Sequence, residues 1–390
     1  MQRSPFEFGR ELSSRELVDR EEEVSVVLQT IRDGGRMFLI GPRRYGKTSI
    51  LRVVQEKAEK DGMVILRYDA EAYPTLQLLA EAVIADTARK LTGPVERIGQ
   101  KVREFFSALR PEVTFDPLTN SFGVSLSGQA ARGGEPALLP SALDGLNRMA
   151  AEEEDPVAVI IDEFQSLVER GRVGRTEDAE GQLRAAVQRH DHLAYVFAGS
   201  KTRLLTQMTG DASRPFYRLG SRLFLGTIPR ADFAEFIVNG FASGGYRIKD
   251  KAVDAILDLA KDVPYNVQRL AYACWSFLRD SRRKVLRPDD VDHVLERLVR
   301  RDDPFYTQTW NGLVSTQQKM LLAIAKSEGE GLFSKGTLDK YGLALSTART
   351  ALEALVKSGI TREEEVDSRV RYRLEDPFLA AWMDVFVVGP

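Results

Sequence analysis

Cysteine is almost missing from this chain: Cys274 is the only one among 390 residues. An intrachain disulfide is thereby excluded, and a reducing compartment, the cytoplasm, is the expected location. Cys274 lies in an apolar helical stretch and reads as a small core residue. Histidine is nearly as scarce. His190 and His192 are neighbours and His293 is distant, which makes no metal-ligand spacing, so all three read as ordinary surface or loop residues. No stretch approaches the roughly eighteen consecutive apolar residues of a membrane span. The first residues, Met-Gln-Arg-Ser-Pro-Phe-Glu-Phe, lack the apolar core of a signal peptide. A net charge of −2 gives no global attraction to nucleic acid or to anionic membrane. Fixed-period repeats and long low-complexity tracts are absent too. What remains is a globular composition, 43% apolar and 29% charged, at a length that predicts two or three domains.

The strongest positive signal is Gly41-Pro42-Arg43-Arg44-Tyr45-Gly46-Lys47-Thr48. The apolar run Met37 to Ile40 before it predicts a buried strand, and Ser49 to Val54 after it has helical spacing. Strand, glycine-bounded loop, Lys-Thr and helix together predict a phosphate-binding loop. Main-chain N–H groups of such a loop curl around a β-phosphate, and the helix adds its positive N-terminal end. Lys47 would neutralise the β/γ-phosphates and Thr48 would offer a hydroxyl to Mg²⁺.

A second strand is expected over Met63 to Asp69, and a helical zone from about Thr75 to Leu109. Residues 112 to 127 then alternate like a hairpin, and Gly128 to Pro136 reads as a flexible loop. Residues 110 to 136 are therefore an excursion from the sheet. Val157 to Ile161 is a continuous apolar run, as a strand buried on both faces requires. It ends in Asp162 and Glu163. In open α/β sheets ligands bind at this strand edge. Asp162 would join the Mg²⁺ shell, and Glu163 would orient and polarise the attacking water. Leu193 to Gly199 predicts a further strand, ending at Ser200. The Ser200 hydroxyl would touch a γ-phosphate or the water, or cap the helix starting near Lys201, and the two roles are compatible. Arg222 to Gly226 predicts a fifth strand, which completes a doubly wound parallel sheet.

These motifs resemble those of the archaeal-type ATPases, in the AAA+/STAND branch of the P-loop NTPases. Leu17 to Glu23 is similar to that family's opening segment, Gly41 to Leu51 to its phosphate loop, and Ile161 to Leu167 to its acidic strand end. Ala198-Gly-Ser resembles its sensor strand, and Pro215 to Arg218 with Leu225 to Pro229 the segment before its lid. Asp262 to Gln268 resembles the lid motif, with Asp262-Val263 where a glycine is usual. Tyr372 to Trp382 is similar to the family's C-terminal ending. The resemblance implies ATP or ADP as nucleotide with Mg²⁺, a helical lid and a C-terminal winged helix. It also implies that Val18, Arg20 and Pro264 line the base, and that Gly41, Pro42, Arg43, Arg44, Tyr45, Gly46, Lys47, Thr48 and Ser49 hold the nucleotide. Arg218 and Arg222 sit where an arginine could reach a γ-phosphate in its own subunit or across an interface. Surface ion pairing is the competing reading for both.

The expected domains are a P-loop ATPase domain over 1–230, a helical lid over 231–303 and a winged helix over 304–390. In the lid, Phe233, Phe236, Ile237 and Phe241 mark one buried helix face. The basic run Ser281 to Arg287 reads as a solvated turn between lid helices. In the last module, Ser346 to Gly359 is the expected second helix of a helix-turn-helix, capped by Ser346 or Thr347 and ended by Gly359. Ile360 to Leu374 reads as a wing. Pro304 to Pro390 holds ten Lys and Arg against eleven Asp and Glu. Phosphate neutralisation dominates nucleic-acid affinity, so a protein partner or self-association is favoured over DNA. The functional expectation is a slow Mg²⁺-dependent ATPase acting as a nucleotide switch; the alternative is an ATP-controlled DNA-binding regulator.

Overall fold

The computed structural model describes residues 3–91, 95–116, 121–126, 135–173, 179–366 and 369–389. Its contacts divide into two compact units, Glu11–Gly226 and a second made of Thr227–Pro390 with the segment ending at Arg10.

The first unit opens with helix α1 (Glu21–Arg32), strand β1 (Arg36–Ile40), helix α2 (Lys47–Lys60) and strand β2 (Val64–Asp69). Helices α3 (Leu76–Leu91) and α4 (Val95–Phe105) follow, where the sequence predicts one long helical zone. The Gly93-Pro94 step lies between them, and neither residue favours a helix interior. The excursion is an antiparallel hairpin of β3 (Pro111–Asp116) and β4 (Ser121–Leu126). Most of the expected flexible loop lies outside the described residues, but Glu135 and Pro136 already belong to helix α5 (Glu135–Ala150). Then come β5 (Val157–Asp162), α6 (Gln165–Val173), α7 (Ala179–Arg189), β6 (Leu193–Gly199), α8 (Thr202–Gly210) and β7 (Ser221–Phe224).

Five strands form one parallel sheet in the order β2-β5-β6-β1-β7. Successive side chains of a strand face opposite ways. Phe38, Ile40, Val159, Ile161, Tyr195 and Phe197 accordingly share one core with residues of α3, α5 and α7. The alternating set, including Leu39, Ile160 and Val196, is equally buried. All six residues of β5 are buried, as its continuous apolar run requires.

The second unit is mostly helical. It contains α9 (Arg230–Ser243), α10 (Asp250–Ala260), α11 (Pro264–Ser281), α12 (Pro288–Arg301) and α13 (Asp303–Asn311), with a two-residue parallel pairing of β8 (Arg247–Ile248) and β9 (Val285–Leu286). Of the predicted face, Phe233, Ile237 and Phe241 are buried and Phe236 is half-buried; Cys274 is buried too, and burial pushes its thiol well above its ordinary value. The segment before Glu11 belongs here as well. Phe6 is fully buried, with ring centroids 5.6 Å from Phe236, 5.1 Å from Phe241 and 6.2 Å from Trp275. The Glu7 N–H donates to Gln268 Oε1 at 3.1 Å. The basic run after α11 is only in part a solvated turn: Arg283 is paired to Asp290 at 2.6 Å, but Val285 and Leu286 form β9 and Leu286 is buried.

The C-terminal part holds α14 (Ser315–Ser327), α15 (Lys335–Tyr341), α16 (Leu345–Lys357), the antiparallel strands β10 (Thr361–Val366) and β11 (Arg369–Leu374), and α17 (Phe378–Met383). The expected cap of α16 is corrected. Ala344 occupies the cap position and no side chain caps the helix. The cap lies two residues before Ser346, so Ser346 and Thr347 fall inside the first turn, away from the extended cap conformation. Gly359 has φ +71 and its N–H donates to Val356 O at 3.0 Å, which ends the helix as expected. The expected wing turn at Asp367-Ser368 lies outside the described residues. Among the described residues no helix is long and apolar enough to cross a membrane.

Candidate nucleotide site

The site is built where β1 and β5 end. Gly46 precedes α2 with φ +92, a left-handed conformation open to glycine. Arg44 is left-handed too, with φ +67. The first N–H groups of a helix lack intrahelical partners, and helix N-termini bind anions for that reason. Lys47 is buried, and its Nζ donates to Gly41 O at 2.9 Å and Pro42 O at 3.0 Å. The Gly41 N–H donates to Gly199 O at 3.3 Å, which fastens the loop to β6. Thr48 Oγ1 donates to Asp162 Oδ2 at 2.8 Å. Two motifs 114 residues apart in sequence thus meet at the strand edge.

The acidic turn is held from below. Glu163 has φ +47, a conformation that costs an ordinary residue roughly 1–2 kcal/mol. Phe164 offsets this. It is fully buried, within 4.6 Å of Phe197 and 5.2 Å of Phe216 by ring centroids, and its N–H donates to Ala198 O at 2.9 Å. Burying such a ring contributes about 1.5–3 kcal/mol. The Glu163 N–H closes the turn on Asp162 Oδ1 at 2.9 Å. Glu163 Oε2 accepts from Ser200 Oγ at 2.7 Å, Ser200 N at 3.3 Å and Gln165 Nε2 at 2.5 Å.

The adjacent carboxyls are displaced in opposite directions. Burial raises Asp162 above its ordinary value, helped by the neighbouring Glu163 charge and opposed by the Thr48 hydroxyl and Lys47. Burial pushes Glu163 up as well, but Lys47, Gln165, Ser200 and Arg43 together bring it below its ordinary value. Glu163 therefore favours its ionised form more strongly than an ordinary glutamate does.

Other sequence-predicted residues are placed as follows. Arg43 is exposed and 3.5 Å from Glu71 Oε1. Tyr45 is buried, while Pro42 and Thr48 are half-buried. Ser49 Oγ accepts the Leu12 N–H at 3.0 Å, an anchor for the segment before α1. Arg20 is buried and its guanidinium donates to Glu23 and to Gly226 O, each at 2.6 Å; Val18 nearby in sequence is half-buried. Arg218 is exposed, its guanidinium 5.1 Å from the Tyr217 ring centre, and among the described residues no contact joins it to Lys47, Thr48, Asp162, Glu163 or Ser200. Pro264 is the first residue of α11 in the other unit. Two readings from sequence are corrected. Ser200 does not cap α8: Lys201 holds that position, and the Ser200 hydroxyl is engaged by Glu163. His190 is no surface residue but is buried, with both ring nitrogens bonded, because Tyr195 and Asp144 supply a polar niche. Phe164 and Gln165 were not singled out from sequence, although their place directly after the acidic pair is the signal that marks them.

The donor set fits a nucleotide–Mg²⁺ complex. A hydroxyl and a carboxylate within hydrogen-bond distance are hard oxygen donors beside a loop that already carries one ammonium. Mg²⁺ bound this way usually takes one or two protein oxygens, with phosphates and water completing its shell. Among the described residues no cluster of three or more His, Cys, Asp or Glu could hold a metal by itself.

A family model described as a "probable winged helix domain" matches residues 304–385. No curated protein matches the sequence. Among solved structures, the chain is similar to the Walker-type ATPase of Pyrococcus abyssi, at 18% identity and TM-score 0.62 over 97% of this chain and 99% of that one. It is also similar to the ORC2 protein of Aeropyrum pernix in its ADPNP and ADP complexes, at 14% identity and TM-score 0.52 over 94% and 92% of the two chains. The likeness lies in the fold: this chain has the α/β fold of the AAA+ P-loop ATPases, with a winged helix domain at its C-terminal end.

Proposed function

We propose that this protein binds ATP with Mg²⁺ and hydrolyses it slowly, as a switch whose state passes to a protein partner or to a second copy of the chain. The observation that carries this is the 2.8 Å bond from Thr48 to Asp162 beside the buried Lys47. It joins the loop and the acidic strand end into one set of donors and acceptors. Lys47 exchanges the carbonyls of Gly41 and Pro42 for phosphate oxygens, a stronger pairing because the acceptors are charged. Loop amides from Pro42 to Thr48, Pro42 excepted because it has no N–H, hold the phosphate chain. Thr48 and Asp162 hold the metal, which when bound neutralises charge on the β- and γ-phosphates. Glu163 accepts a proton from the attacking water, and Ser200 ties that carboxylate to the end of β6. Arg218 is available to a phosphate from the surface, in its own chain or across an interface. Val18 and Arg20 are assigned to the base.

For the winged helix we infer a protein contact in preference to DNA. Three of the wing's arginines, Arg362, Arg371 and Arg373, are paired with the chain's own carboxylates. Arg371 pairs with Glu330 at 2.9 Å, Arg373 with Glu364 at 3.1 Å and Glu328 at 3.3 Å, and Arg362 with Glu375 at 3.6 Å. On α16 the exposed cations are Arg349, placed over the Phe333 ring, and Lys357.

The experiment is an ATP titration in Mg²⁺ with wild type and Lys47→Ala, alongside identification of any nucleotide released on denaturation. Wild type is expected to bind, and the variant to bind about 10- to 100-fold more weakly while melting within a few degrees of wild type. Equal affinities would remove the site.

A further inference from the structure

Gln165 opens α6, and the ordinary solution for a fully buried side chain at that place is an apolar one. Its amide is only half satisfied. Nε2 donates to Glu163, while Oε1 is buried with no hydrogen-bond partner among the described residues. A buried acceptor left in that state is destabilising, so packing alone does not account for it. The strand above makes room for it as well. A Cβ on Gly199 would lie 2.1 Å from Gln165 Oε1, so β6 passes this amide only because it has no side chain there. The orientation of the amide follows from chemistry, since an ionised carboxylate accepts only and the nitrogen must face it.

Three donors converge on a single oxygen, Glu163 Oε2: the Gln165 amide, the Ser200 hydroxyl and the Ser200 N–H. They come from two elements, the start of α6 and the end of β6. Among the described contacts none falls on Oε1 of Glu163.

We propose that Gln165 is a positioning residue, which with Ser200 clamps Oε2 of Glu163 so that Oε1 is the oxygen that takes the proton from water. This rests on the reading of Glu163 as the group acting on the water. A carboxylate on a left-handed residue has few other restraints, and a displacement near 1 Å at a reacting group reduces rates about 100-fold. Gln165 is fully buried, so its effect passes through Glu163.

The test is ATP turnover by four full-length proteins: wild type, Gln165→Met, Glu163→Gln and the double variant. Methionine keeps the length of the side chain and removes the donor. Gln165→Met is expected to lower kcat about 10- to 100-fold, with KM and ATP affinity within about twofold of wild type. In the Glu163→Gln background the same change should lower the residual rate no further, because the group it positions is gone. A wild-type kcat for Gln165→Met, or an equal fall in both backgrounds, overturns the proposal and leaves the role of Glu163 standing. If wild type turns over no ATP, the reading of Glu163 fails instead. The clamp is then judged by the melting temperatures of the same four proteins: non-additive shifts support it, and additive shifts overturn it.

Discussion

Strand β6 carries a buried polar network at each end, and the two differ in completeness. At its start, Tyr195 OH lies 2.6 Å from His190 Nδ1, and His190 Nε2 lies 2.8 Å from Asp144 Oδ1. Arg189 adds bonds of 2.7 and 2.6 Å to the two Asp144 oxygens, and Arg36 donates to Val187 O and His190 O. Among the described residues no side-chain atom of Tyr195, His190 or Asp144 is buried without a partner. At the other end, Gln165 Oε1 has none, and the Lys47 ammonium rests on its own loop's carbonyls. A closed network fixes one arrangement. An open one has groups ready to exchange partners, and it stands at the sheet edge where ligands bind.

The largest effect expected from this contrast is at the open end. Glu163→Gln should retain ATP and lower phosphate release about 100- to 10,000-fold; undiminished release in a single-turnover assay would erase the functional half of the comparison. At the closed end, Tyr195→Phe removes one partner of a buried imidazole. It should destabilise by about 1–3 kcal/mol in a denaturant melt, with ATP affinity unchanged. A parallel loss of ATP binding would mean that the two ends are coupled.

A smaller effect distinguishes the ends by pH. Burial by itself raises Asp144, but hydrogen bonds from His190 and Arg189, with the Arg189 charge, bring it below its ordinary value. A depressed carboxyl contributes stability above the unfolded value, near 4 for Asp. That contribution fades as pH falls from there through the lower folded value. Asp144→Asn should therefore be less stable than wild type at neutral pH, and the gap should narrow on acidification; a gap that widens contradicts the assignment. The smallest effect belongs to the wing. Arg371→Ala removes a pair with a 62% exposed Glu330 side chain, so a change under about 1 kcal/mol is expected, with no change in duplex binding by the full chain.

Much of this was readable in the sequence. The five strands, the loop from Gly41 to Thr48 and the acidic strand end are local patterns. Period-2 burial, glycine placement and a run apolar on both faces each leave a mark within ten residues. The hairpin of the excursion was legible for the same reason. What escaped were properties of long-range partnership. His190 looked like a loop residue because nothing in its neighbourhood announces Asp144, 46 residues away. Ser200 looked like a helix cap because a hydroxyl before a helix usually is one, and its actual partner lies 37 residues back. Gln165 and Phe164 look unremarkable in a string and acquire meaning only beneath the carboxylate they support.

Phe6 carries a consequence for how the molecule is made. Its aromatic partners Phe236, Phe241 and Trp275 are synthesised after the whole sheet unit. The segment before Glu11 therefore leaves the ribosome ahead of that unit and finds its place only after α11 exists. A fragment beginning at Thr227 would leave those rings facing a hole, while a fragment ending at Gly226 would trail an unsheltered phenylalanine. Cutting the chain at its apparent seam damages both halves.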